Sequence, residues 1–154
     1  MPSKELFAPG FGAWIKIGVV YQRTSRHLGE LLRPLGLTVA QFDALANLYV
    51  GDGKSQQELA RQLLVTKANV TGLLDRLAAL GHVRRESDPD DGRANRIYLT
   101  AAGRRLARRA LEVQRKLVDS MMRTLTRREQ ESLRVVLERL LGRLEGRELN
   151  SRGA

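Results

Sequence analysis

Asp88-Pro89-Asp90-Asp91-Gly92-Arg93-Ala94-Asn95-Arg96-Ile97-Tyr98-Leu99-Thr100 reads as an acidic turn tipped by an arginine, then a short strand, then a helix start. Pro89 and Gly92 bend the chain, and the aspartates favour turns by bonding their own backbone. Arg96-Ile97-Tyr98-Leu99 alternates polar and apolar side chains, as a half-buried strand does. Upstream, His82-Val83-Arg84-Arg85-Glu86 supplies a partner strand. The pair predicts a hairpin with a basic tip, placed directly after a helix-turn-helix pattern. That order describes a winged helix and points to reading DNA.

The helix-turn-helix is written in caps. Ser55-Gln56-Gln57-Glu58 is a capping box opening a short helix through Leu63, with Leu59, Ala60 and Leu63 inward. Leu64-Val65 is a tight connection, and Thr66 caps a second helix to about Leu80, stopped by Gly81. Its inner face is Val70, Leu73, Leu74 and Leu77. Two capped helices around a tight turn form the motif. Further out, Thr38-Val39-Ala40-Gln41 is another capping box, whose helix turns Phe42, Leu45, Leu48 and Tyr49 inward. Trp14, Ile17, Tyr21, Leu28, Leu31 and Leu32 predict a helix from Ala13 to about Arg33, with residues 1–12 as a loose arm. Thr100 caps a long helix to about Leu125 that buries Leu106, Ala110, Val113, Leu117 and Met121. Thr126-Arg127-Arg128-Glu129 opens the last helix, where Leu133, Val136, Leu137, Leu140, Leu141 and Leu144 make one apolar stripe.

Length and composition suit one domain with an added interaction element: 154 residues, 42% hydrophobic. The chain has no cysteine, which excludes disulfides, thiolate metal sites and thiol chemistry. No apolar run approaches membrane-spanning length, and the first residues lack a secretory layout, so no membrane partner and a cytoplasmic location are expected. The formal net charge of +10 suits a polyanionic partner. Its distribution is uneven: residues 55–100 hold seven basic and six acidic groups, whereas 101–154 hold fourteen and seven. Bulk charge therefore does not locate a DNA site, and many C-terminal arginines read equally as a solvated helix face.

The chemistry does. A recognition helix meets the major groove with the outward residues of its N-terminal turns. Here those are Thr66, Lys67, Ala68, Asn69, Thr71 and Gly72. Asn69 can bond an adenine edge bidentately, Ala68 or the Thr71 methyl can touch a thymine methyl, and Thr66 and Lys67 suit phosphates. Arg93 at the hairpin tip suits a narrow minor groove, with Asp91 aiming it through a charge-assisted pair. Arg84, Arg85 and Arg96 flank the hairpin and either reach phosphates or cover its outer face. The long and final helices carry more apolar surface than the small reading module covers; pairing with a second copy would bury it, as would folding back on residues 13–50.

These residues resemble one family. Leu73-Leu74-Asp75-Arg76-Leu77, Leu80-Gly81-His82-Val83, Asp88-Pro89-Asp90-Asp91-Gly92-Arg93 and Leu99-Thr100-Ala101-Ala102-Gly103 look like the signature of MarR-type transcriptional regulators, over about residues 13–146. The resemblance implies a mainly α fold with a small β-hairpin wing: a homodimeric winged helix-turn-helix with N- and C-terminal dimerisation helices. Residues 13–35 and 101–146 would dimerise, and 38–100 would be the DNA-binding module of a single 1–154 domain. It implies Asp91 and Arg93 as the wing pair, with Arg96 beside them, Thr66 to Thr71 as the start of the recognition helix, and Arg76 on the phosphate backbone. Gly92 stands where many members have Arg, and His82 where Leu is commoner. Members often bind small aromatic or phenolic effectors; Trp14, Tyr21, His27, Phe42 and Asp43 are candidates here, although Trp14, Tyr21 and Phe42 read more readily as core and His27 as a surface residue.

The expectation is a repressor that binds double-stranded DNA at a pseudo-palindrome and is released by an effector. Catalytic residues, cofactors and metals are not expected: two histidines lie far apart, and no glycine loop or ligand cluster is present. The rival reading is a winged-helix protein-interaction module that does not bind DNA.

Overall fold

Helix α1 opens on a proline. The computed structural model of the chain describes residues 9–88 and 95–151, with side chains for residues 10–88 and 95–145. Its elements are α1 (Pro9–Leu32), a 3₁₀ turn (Arg33–Leu35), α2 (Val39–Val50), β1 (Lys54–Ser55), α3 (Gln56–Gln62), α4 (Lys67–Ala79), β2 (Val83–Ser87), β3 (Asn95–Leu99), α5 (Ala101–Met122) and α6 (Arg127–Ser151). The expected loose arm ends earlier than predicted, because α1 begins at Pro9 rather than Ala13. Proline breaks a helix interior but suits its first turn, where its missing N–H has no partner to lose.

The caps are made as the sequence predicts. The Thr38 hydroxyl accepts from Gln41 N at 3.2 Å, and the Gln41 side chain accepts from Thr38 N at 2.9 Å. Ser55 and Glu58 repeat the arrangement at 3.2 and 2.7 Å. The Thr66 hydroxyl accepts from Asn69 N at 3.3 Å, and that of Thr100 from Gly103 N at 3.0 Å.

One unit runs to Arg115 and a second begins at Lys116. In the first, Phe42, Leu45 and Leu48 of α2, Leu59 of α3, Val70, Leu74 and Leu77 of α4 and Ile97 of β3 are almost wholly buried. Each such side chain contributes roughly 1.5–3 kcal/mol by leaving water. Leu28 and Leu32 of α1 join this core, but Trp14 and Tyr21 do not. The α5 seam matches its predicted face in part. Ala110 and Leu117 are buried as predicted, but Leu106, Val113 and Met121 are only half-buried, and Gly103 and Ala107 are buried instead. Small residues let this stretch of helix come close to its neighbours; a Cβ on Gly103 would lie 1.9 Å from the His82 carbonyl oxygen.

The sheet has three strands, not the two of a simple hairpin, in the order β1-β3-β2. β2 and β3 pair antiparallel from Val83↔Leu99 to Ser87↔Asn95. β1 adds Lys54↔Ile97 and Ser55↔Arg96 on the other edge of β3. Two residues are too few to show alternation, and Ser55 reads first as a cap.

In the second unit, the Thr126 hydroxyl accepts from Glu129 N at 3.3 Å, and a Glu129 carboxylate oxygen accepts from Thr126 N at 2.7 Å. The Gln130 amide donates to the Met122 and Leu125 carbonyls at 2.9 and 3.1 Å. Leu133, Val136, Leu140, Leu141 and Leu144 of α6 stay exposed in the single chain.

Candidate nucleic-acid interface

The turn between α3 and α4 decides how α4 is presented. Val65 N donates to the Ala60 carbonyl at 3.1 Å and Leu64 N to that of Arg61 at 3.2 Å. This is a Schellman motif, which ends a helix by turning one residue left-handed. Here that residue is Leu64, with φ of 54° and an almost fully exposed side chain, rather than glycine. The chain reverses over three residues and delivers Thr66 as the cap of α4.

The first turns of α4 then face solvent. Thr66, Lys67, Ala68 and Asn69 are exposed, and Thr71 and Gly72 half-buried. The Thr71 hydroxyl donates back to the Lys67 carbonyl at 2.9 Å. No acidic residue lies in the first turn to oppose the positive end of the helix and Lys67. Arg76 is exposed further along. The predicted reading residues of α4 thus occur on one accessible stretch.

Arg76 and Asn69 also line a cleft of about 390 Å³ with Ala40, Asp43, Leu63, Val65, Ala68, Gly72 and Leu73. Burial pushes the Asp43 carboxyl above its ordinary value. The five effector candidates do not come together within the single chain. Of Trp14, Tyr21, Phe42 and Asp43, only Asp43 is among the residues lining this cleft. Phe42 is 1% exposed and belongs to the core, while Trp14 and Tyr21 are 64% and 71% exposed on α1. His27 is exposed and lies 3.6 Å from Glu30.

Asp91 and Arg93 lie outside the described residues. The base of the wing is described, and its arginines are engaged within the chain. Arg85 pairs with Asp75 of α4 at 2.6 Å. Arg84 pairs with Glu86 and stacks over the Tyr98 ring, 4.9 Å from its centroid. Arg96, expected beside the wing pair as a DNA contact, instead directs Nε to Asp88 at 2.9 Å and donates from Nη1 to the Gly53 carbonyl at 3.0 Å. The guanidinium joins β3, the end of β2 and the turn before β1.

Sequence reasoning missed two further joints. Asp52, read only as part of a Gly-Asp-Gly turn, accepts from Leu99 N at 2.8 Å and pairs with Arg104 at 2.5 Å. Arg104 also stacks over Tyr49. His82 O accepts from Thr100 N at 3.0 Å, and the Thr100 hydroxyl donates to the Gly81 carbonyl at 2.6 Å. The end of α4 is therefore tied to the start of α5. The partners of Asp52 lie far along the chain, beyond any local pattern. The cap at Thr100 and the closeness implied by Gly103 were the only local hints of the second joint.

Among the described residues, no group of three or more His, Cys, Asp or Glu is placed to hold a metal, and no helix is long and apolar enough to cross a membrane.

Comparison with known proteins agrees with the geometry. The sequence profile described as "MarR family" matches residues 35–94, from the turn before α2 to the wing. The chain is 38% identical over 109 residues to the HTH-type transcriptional repressor Rv2887 of Mycobacterium tuberculosis, covering 71% of this chain and 78% of that one. It is 32% identical over 126 residues to the multiple antibiotic resistance protein MarR of Escherichia coli, covering 81% and 88%. The crystal structure of a mutant MarR from E. coli complexed with operator DNA superposes with a TM-score of 0.76 at 29% identity, over 90% of this chain and 96% of that one. With its three-stranded wing sheet, capped reading helix and these relatives, the chain belongs to the MarR family of winged-helix transcriptional regulators.

Proposed function

We propose that this protein is a sequence-specific regulator of transcription that binds double-stranded DNA as a homodimer and represses by occupying its operator. The observation that carries this is the open first turns of α4, Thr66 to Asn69, on a helix whose cap, charge and neighbours favour an anionic partner. Thr66 and Lys67 take phosphates, Asn69, Ala68 and Thr71 read base edges, and Arg76 takes the backbone further along. Asp91 and Arg93 act in the minor groove.

The apolar side chains left exposed on α1 and α6 support the homodimer: Trp14, Ile17, Val20 and Tyr21 on one, Val136, Leu140, Leu141 and Leu144 on the other. Residues 13–35 and 101–146 are the dimerisation helices, and 38–100 the reading module. Two modules about 34 Å apart fit a pseudo-palindrome. An aromatic or phenolic effector would release the DNA by changing the separation of the modules; the cleft lined by Asp43, Asn69 and Arg76 supports a site beside the reading helix.

Selection of genomic fragments by the purified protein tests this. Enrichment of one inverted-repeat sequence, with affinity falling steeply as salt rises, is expected. Equal recovery of all duplexes would refute sequence-specific reading and favour a protein partner.

A further inference from the structure

We infer that Arg96 and Asp88 are positioning residues: together with the Gly53 carbonyl they form a joint that sets the wing against the helix-turn-helix, and they act on DNA affinity without touching DNA. The inference rests on the DNA-binding reading above.

Arg96 sits in β3 opposite Ser55 of β1, the residue that caps α3. Its Nη1 holds the Gly53 carbonyl at 3.0 Å and its Nε holds Asp88 at 2.9 Å, just past the last residue of β2. Gly53 has φ of +74° and donates from its N to the Ile97 carbonyl at 3.0 Å. One guanidinium therefore spans the strand leading into the helix-turn-helix and both strands of the wing. The Asp88 side chain is 9% exposed and that of Arg96 35%, so the pair is shielded enough to hold a direction rather than drift as a surface pair does. The Arg96 charge also acts on Glu58 in the capping box of α3. A planar fork with several fixed donors can brace two acceptors at once, which an ammonium cannot do in the same geometry. A module that must enter two grooves together depends on the angle between its helix and its wing.

The sign of one substitution separates positioning from contact. Asp88→Asn removes a negative charge near a polyanion and frees Arg96. If Arg96 contacted phosphate, this variant would bind DNA as tightly as wild type or more so. If the pair positions the wing, it binds more weakly. The probe is the duplex that the wild-type protein selects from random-sequence DNA, with affinities measured across a salt series and amide exchange followed at Gly53 and, as a control, at Val70 and Leu74 of α4. Asp88→Asn and Arg96→Lys should each lose roughly tenfold in affinity, the size of one base contact. Arg96→Gln should leave the salt slope unchanged, and Gly53 should exchange faster in all three variants, with α4 unaffected. Undiminished binding by Asp88→Asn overturns the inference. So does a salt slope reduced by about 0.9 per arginine removed in Arg96→Gln, which is the mark of a lost phosphate contact. Unchanged exchange at Gly53 overturns it too. A wild-type protein that selects no duplex refutes the DNA reading itself, whatever the exchange at Gly53 shows.

Discussion

Replacing Gly103 by alanine sets two physical effects against each other. Gly103 lies inside α5, where alanine favours the helix over glycine by about 1 kcal/mol. Propensity alone predicts a more stable protein. The structure predicts the reverse. The added Cβ would stand 1.9 Å from the His82 carbonyl oxygen and 2.8 Å from its carbon, both backbone atoms that cannot rotate away. The carbonyl must recede by at least about 1.1 Å to reach the closest separation real Cβ atoms show. That movement strains its bond from Thr100 N, now 3.0 Å long. Overpacking costs about 1–3 kcal/mol, and a buried carbonyl losing its donor about 1–3 more. After the gain in propensity the net loss is about 3 kcal/mol. For a chain of this size each kcal/mol moves the Tm by about 2–4 °C, so Gly103→Ala should melt roughly 6–12 °C lower. Gly72→Ala is the control. Gly72 is also inside a helix, but nothing lies within 4 Å of its added Cβ, so its Tm should rise by about 2–4 °C. Calorimetry on both variants decides the matter. If Gly103→Ala melts at or above wild type, the close approach of α5 to His82 is wrong.

Four other outcomes are expected. Leu64→Gly should raise the Tm by about 2–4 °C, because a left-handed leucine costs about 1–2 kcal/mol and its exposed side chain forfeits little burial; a fall would contradict the strained turn. Thr66→Ala should lower stability by about 1 kcal/mol, whereas Thr66→Asp keeps the cap and the Tm but weakens DNA binding through like charge, as thermal melts beside a shift assay would show. Asp43 is raised by burial, so its folded form holds its proton more tightly than its unfolded form, and stability is lost as pH rises from the unfolded value of 3.8 through the raised one. Asp43→Asn should therefore gain in Tm relative to wild type as pH climbs above about 4, and a difference independent of pH would refute the burial argument. Leu140→Glu should convert the proposed homodimer to monomer in sedimentation velocity and lower operator affinity by at least tenfold; a dimer unchanged by the substitution would remove α6 from the proposed interface.

The parts of the fold legible in the sequence are those governed by near neighbours. Thr38 with Gln41, Ser55 with Glu58, Thr66 with Asn69 and Thr100 with Gly103 are three residues apart, and each bond forms where the spacing places it. The reading face of α4 follows directly from such a cap. The wing base follows poorly, because its partners are distant: Asp52 meets Leu99 and Arg104, and Arg96 meets Gly53. Arginines flanking a hairpin next to a DNA-reading helix look like phosphate ligands until their acceptors are known. Pro9 misled in the other direction, since the same residue that stops a helix also starts one. The effector candidates were hard to sort for a different reason. Aromatic identity does not say whether a side chain enters the core, as Phe42 does, or stays outside, as Trp14 and Tyr21 do.

The strand order has a consequence for how the molecule is born. β3 is the central strand of the sheet yet the last to be made, since β1 and β2 both precede it in the chain. As the polypeptide leaves the ribosome, neither outer strand has anything to pair with until Leu99 has emerged, and α3 and α4 are complete well before then. The helix pair must wait as a nascent, partly bare segment, and the arrival of five residues closes the whole reading head at once. A stalled chain ending before Asn95 would leave those helices open to proteases, and one extended past Thr100 would shield them.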